Sequence, residues 1–166
     1  FCNNREIRCL YGSDIDENMV AHAKKNTALL TEAGMQERKA EIRQLYAEFG
    51  KESHQEALIS CEKLQSMCEN AVQTEIFMAD CTKPLPQITP DLIITDVPYG
   101  NLVEWESGEA LSIDEMLEQL WYIAHEETIL AVCMDKKQKL SSTRWKRLEK
   151  QNVGKRRFEI LKKVSE

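Results

Sequence analysis

The run Ile93-Ile94-Thr95-Asp96-Val97-Pro98-Tyr99-Gly100 constrains this chain more than any other stretch. A β-branched apolar run that stops at a carboxylate and turns at once through Pro-Tyr-Gly predicts a buried parallel strand with a loop at its C-terminal tip. Ligands of open α/β sheets bind at such tips. The plain alternative is a strand followed by a proline turn with a packing tyrosine.

The rest of the chain alternates in the same way. Ile7–Gly12 predicts a short strand running out at Ser13-Asp14, after which Asp16 can cap a helix from Glu17 to Ala33, with Gly34 as its stop. Residues 36–73, rich in Glu, Lys, Gln and Ala, predict a helical hairpin inserted between strands and interrupted at Gly50. Strands follow at Glu75–Asp80 and Leu92–Thr95, then an amphipathic helix at Ile113–Ala124 and a buried strand at Thr128–Met134. A short helix at Thr143–Lys150 and a strand at Phe158–Val164 close the chain. Strands alternating with helices predict a mostly parallel sheet in one domain spanning 1–166.

Size and composition narrow the function classes. A chain of 166 residues with 42% apolar content can bury one real core. No apolar run approaches the roughly 20 residues that cross a bilayer. The start has neither the basic nor the apolar region of a signal peptide, and no initiator Met. Cys2, Cys9, Cys61, Cys68, Cys81 and Cys133 form no CxxC pair and no Cys/His spacing suited to zinc. Free thiols, no metal, no membrane and a reducing cytoplasm are the expectation.

Asp14, Asp80 and Asp96 each close a predicted strand, spaced as successive tips of one doubly wound sheet. A carboxylate at such a tip can accept from both hydroxyls of a ribose, which suits Asp14. Asp80, with the backbone of Cys81, can read an adenine edge: the carboxylate accepts from the amino group and the main-chain N–H donates to a ring nitrogen. Asp96 then faces the chemistry.

Net charge is −6, but it is unevenly spread. Lys136 to Lys163 holds twelve Lys/Arg and two Glu, whereas residues 1–135 hold ten Lys/Arg and twenty-five Asp/Glu. A basic edge on an acidic body suits a polyanion, with Lys136, Lys137, Lys139, Arg144, Lys146 and Arg147 placed to meet phosphates. A solvated helix beside a lysine-protected edge strand would look the same.

Three strand-tip carboxylates with an Asp-x-Pro-Tyr turn resemble the Rossmann-like S-adenosylmethionine-dependent methyltransferases, in particular their amino-directed, nucleic-acid-modifying branch. More narrowly, Gly12-Ser13-Asp14-Ile15-Asp16-Glu17-Asn18 and Thr95-Asp96-Val97-Pro98-Tyr99-Gly100 with Trp105 resemble the avilamycin-resistance type of 23S ribosomal RNA guanine methyltransferase. The likeness extends over most of the chain except the hairpin, which matches in length and character alone. It implies a three-layer Rossmann-like fold, S-adenosylmethionine as cofactor, and ribosomal RNA or the ribosome as partner. Asp96 and the Val97 carbonyl would accept the N–H groups of a base nitrogen, most simply on guanine. Pro98 would hold Val97 extended, and Tyr99 would stack on the base. Trp105 would wall the base pocket or, equally, plug its loop onto the sheet. The family usually has a second proline where Val97 stands; the carbonyl survives that change.

The family also carries a glycine-rich turn after a first strand, upstream of the Gly12-Ser13-Asp14 element. Only thirteen residues precede Asp14 here, and none form such a turn. The expected fold therefore has that first strand and loop absent, a gap between the strands ending at Asp14 and Asp96. Such a gap leaves backbone hydrogen bonds unmade on both neighbours, so the simplest expectation is the larger part of a longer protein; disorder of those residues and a degenerate paralogue without catalysis are the alternatives. Base methylation of ribosomal RNA is the reading; a non-catalytic RNA- or ribosome-binding domain on the same fold is the alternative. Methylation of DNA adenine or of a protein amide through the same turn is a third.

Overall fold

The computed structural model describes residues 7–67, 72–97 and 109–165. They fall into two compact units that divide after Met78.

In the first unit, β1 (Cys9–Asp14) pairs in parallel with β2 (Gln73–Met78), from Cys9 against Gln73 to Asp14 against Met78. The chain between them is helical. Asp16 caps α1 (Glu17–Ala28), its carboxylate accepting the Asn18 N–H at 2.7 Å. The helix stops short of the predicted Ala33 because Thr31 starts another one. The Thr31 hydroxyl accepts the Gly34 N–H at 3.1 Å, which caps α2 (Glu32–Phe49). Gly34 thus sits in a first turn and is not a helix stop. Its lack of a side chain matters there, since a Cβ would lie 2.2 Å from the Ala28 carbonyl oxygen.

Gly50 does end a helix as predicted. It adopts φ 60°, and its N–H donates to the Tyr46 carbonyl at 2.8 Å. α3 (Glu52–Met67) then returns along α2, giving the expected hairpin with bounds shifted toward the N-terminus. Met35, Ile42 and Cys61 form its seam, with Leu29, Ala57 and Leu58 packed around them. Lys39 is buried beside that seam, where its ammonium donates to Gln65. Gln65 in turn donates to Glu32 at 2.9 Å.

The second unit is a four-stranded sheet in the order β3 (Leu92–Asp96), β4 (Ile129–Asp135), β6 (Arg156–Lys163), β5 (Trp145–Val153). β3 and β4 are parallel, while β6 runs antiparallel to both β4 and β5. α4 (Glu109–Ile123) supplies Ile113, Met116, Leu117 and Leu120 to a core completed by Val97, Leu130, Val132, Met134, Trp145 and Leu161. Strict alternation along β4 puts Leu130, Val132 and Met134 on that side. The opposite face carries Leu92, Ile94 and Phe158 among its exposed apolar groups, with Ile94 71% exposed.

The predicted helix at Thr143–Lys150 is a strand. Lys, Arg, Leu and Glu favour helix locally, but β5 pairs along its length with β6, with a bulge between Arg147 and Glu149. Buried Trp145 anchors its start, donating its indole N–H to the Leu117 carbonyl at 2.9 Å. The tight turn at Gly154, φ 61°, joins the two strands.

The sheets end on β1 and on β3, whose outer edges are unpaired among the described residues. No helix among the described residues is long and apolar enough to cross a membrane.

Candidate functional site

Asp96 is the last residue of β3, and the backbone beyond it is held rather than loose. The Val97 N–H donates to the Cys133 carbonyl at 2.9 Å, so the ladder to β4 continues one residue past the carboxylate. The Val97 side chain is 1% exposed and belongs to the core. A buried side chain on one side and a paired amide on the other fix the peptide that follows Asp96. The Asp96 carboxylate is half exposed.

Two groups from other strands meet it. Cys133, its registered neighbour on β4, lies beside Asp96 on the same face of the sheet. Arg156, the first residue of β6, brings Nη1 to 3.9 Å from Asp96 Oδ2. Burial pushes the Cys133 thiol pKa up, and the Asp96 carboxylate adds to that, while the Arg156 guanidinium pulls the other way.

Asp80 lies just beyond β2 in the second unit. Its Oδ1 accepts from the Thr82 hydroxyl at 2.7 Å and from the Thr82 N–H at 2.9 Å. These bonds hold its carboxyl below the ordinary range, with Lys83 helping and partial burial opposing. Cys81 is half buried against the core of the same unit. Asp14 closes β1 in the first unit; its Oδ1 accepts the Asp16 N–H at 2.9 Å, and the residue is exposed. Pro98, Tyr99 and Trp105 lie outside the described residues.

Sheet topology divides the basic residues. Lys136 and Lys137 follow β4 at the end where Asp96 lies, and both are exposed. The antiparallel β6 begins at the same end, and the Lys136 N–H donates to the Lys155 carbonyl at 3.1 Å, joining the two turns. Lys155 and Arg156 therefore belong with Lys136 and Lys137. The Gly154-Lys155-Arg156-Arg157 run was the signal that could have found them.

Arg144 and Lys146 lie at the opposite end, where Trp145 pairs with Lys163. Arg144 stacks 4.2 Å from the Trp121 ring and pairs with Glu118 at 3.3 Å. Arg147 pairs at 3.6 Å with buried Glu159, which Arg157 also holds at 3.0 Å. Arg144 and Arg147 thus have anionic partners within the fold. Lys139 and Lys146 are exposed. Among the described residues no group of three or more His, Cys, Asp or Glu could hold a metal ion.

Residues 1–156 match the family model described as rRNA methyltransferase AviRa. The 23S rRNA (guanine(2535)-N(1))-methyltransferase of Streptomyces viridochromogenes is 30% identical over 164 residues, a match that takes in 93% of this chain. The chain spans 65% of that relative's length. Two crystal structures of the rRNA methyltransferase AviRa from the same organism superpose with TM-scores of 0.78 and 0.77, at 30% and 28% identity. They match over 93% and 90% of this chain and 66% and 64% of theirs.

Proposed function

The chain belongs to the AviRa rRNA methyltransferase family, and on that premise we propose that it methylates a guanine nitrogen in ribosomal RNA with S-adenosylmethionine. The observation that carries the reading is the end of β3. A half-exposed carboxylate is set there on a pinned backbone, next to two turns that carry the exposed Lys136, Lys137 and Lys155.

The residues present suit the nucleoside half of the cofactor. Asp80 is held ionised by Thr82 and can accept the adenine amino group beside the Cys81 backbone; Asp14 can accept ribose hydroxyls. When bound, S-adenosylmethionine supplies an electrophilic methyl group. The protein's task is the nucleophile. A guanine ring nitrogen that carries a proton has no free in-plane lone pair. Asp96 would accept that proton, while the Val97 carbonyl accepts the amino N–H and fixes the ring. Pro98 and Tyr99 would hold and stack the base, and Trp105 would wall its pocket. A paired base must first be unstacked, so the target is a looped or flipped nucleotide. Lys136, Lys137 and Lys155 would contact its phosphates; Lys139 and Lys146 remain further candidates.

Radiolabel transfer to 23S ribosomal RNA tests the reading. Activity that Asp96→Ala abolishes, with cofactor affinity retained by calorimetry, supports it. Label appearing instead in DNA or protein overturns it. RNA binding with no heat on adding cofactor would indicate a binding module.

A further inference from the structure

Arg156 was not part of any motif, and it reaches Asp96 from sixty residues downstream. Asp96, Cys133 and Phe158 are registered across β3, β4 and β6, so their side chains share one face of the sheet. Arg156 precedes Phe158 by two residues and shares that face too. Its guanidinium lies 3.9 Å from the carboxylate and close enough to the Cys133 thiol to favour the thiolate. The registered neighbour of Arg156, Asp135, is engaged otherwise, with its Oδ1 accepting the Lys137 N–H at 2.8 Å.

We infer that Arg156 is a positioning residue for Asp96, orienting the carboxylate toward the methyl-accepting base. This rests on the function proposed above. A carboxylate at a strand tip can rotate about its side-chain bonds, and a half-exposed one has no packing to stop it. A guanidinium and a thiol beside it favour the rotamers that keep those neighbours in place. Arg156 touches no reacting atom in this scheme; its effect passes through Asp96.

The test uses the full chain with Arg156→Met, Arg156→Lys and Asp96→Asn. With 23S ribosomal RNA as substrate, Arg156→Met should lower kcat about tenfold while leaving the KM for S-adenosylmethionine unchanged. Arg156→Lys should restore most of the loss. Adding Arg156→Met to Asp96→Asn should cost no further activity, since the carboxylate it orients is gone. A fully active Arg156→Met, or independent losses in the double variant, overturns the assignment.

Alkylation of Cys133 by iodoacetamide, followed by peptide mass spectrometry, reads the same cluster without any turnover. Removing the guanidinium should slow that alkylation, and Asp96→Asn should speed it. An inactive wild type would remove the proposed activity alone. Cys133 reactivity unchanged by Arg156→Met would overturn the contact itself.

Discussion

The Val97 N–H and the Cys133 carbonyl close the last hydrogen bond between β3 and β4, one residue beyond Asp96. That bond fixes the Asp96–Val97 peptide, and with it the backbone from which the Asp96 side chain projects. The valine side chain shares the task, since it fills the core between α4 and β4. Val97→Ala should therefore destabilise the fold by about 1–2 kcal/mol, read as a lower urea midpoint. It should also slow methyl transfer more than it weakens cofactor binding.

Asp80 gives a pH dependence whose sign follows from its hydrogen bonds. Its folded carboxyl is held below the ordinary value by Thr82, so the unfolded chain binds a proton at a higher pH than the folded one does. The resulting stability is fully present above the unfolded value of about 3.9 and is lost as pH falls through the lowered folded one. Thr82→Val should move the Asp80 carboxyl back up in an NMR titration and flatten that part of the acid limb. Unaltered titration would show that the Thr82 hydroxyl does not hold it.

Gly34 tests how the first two helices meet. Any side chain there would press on the Ala28 carbonyl at 2.2 Å, a backbone atom that cannot turn aside. Gly34→Ala should cost about 2–3 kcal/mol, despite alanine's better helix propensity, whereas Ala33→Gly should cost no more than about 1 kcal/mol. Equal stability of Gly34→Ala and the wild type would refute the close approach.

Counterion release separates the two ends of the basic edge. Removing Lys136, Lys137 and Lys155 together should reduce the slope of log affinity for 23S ribosomal RNA against log salt by about 2–3. Removing Arg144 and Arg147 should change it far less, because those guanidiniums already face Glu118 and Glu159. The opposite ordering would relocate the RNA path to the β5 end.

Much of this could be read from local patterns. The strand positions of β3 and β4, the Asp16 cap and the left-handed Gly50 all act over a few residues, and the structure places them where the sequence implies, although β3 is not the buried strand expected, since Ile94 is 71% exposed. β5 was illegible for the opposite reason: its composition favours helix, and only pairing with β6 makes it a strand. Gly34 misled because glycine ends helices often, whereas here Thr31 begins one three residues earlier. The meeting of Arg156 with Asp96 could not be found by spacing at all, since it depends on the register of two strand pairs.

The order of β6 has an arithmetic consequence. Arg156 and Phe158 face one side of the sheet, while Arg157 and Glu159 are buried on the other. If β6 slipped against β4 and β5 by a single residue, the strand's faces would exchange: Arg157 and Glu159 would leave the buried side together, Glu159 would lose Arg147, and Arg157 would take the place beside Asp96. The salt-bridged interior thus acts as a parity check, rejecting any odd displacement that would hand the carboxylate to the wrong guanidinium.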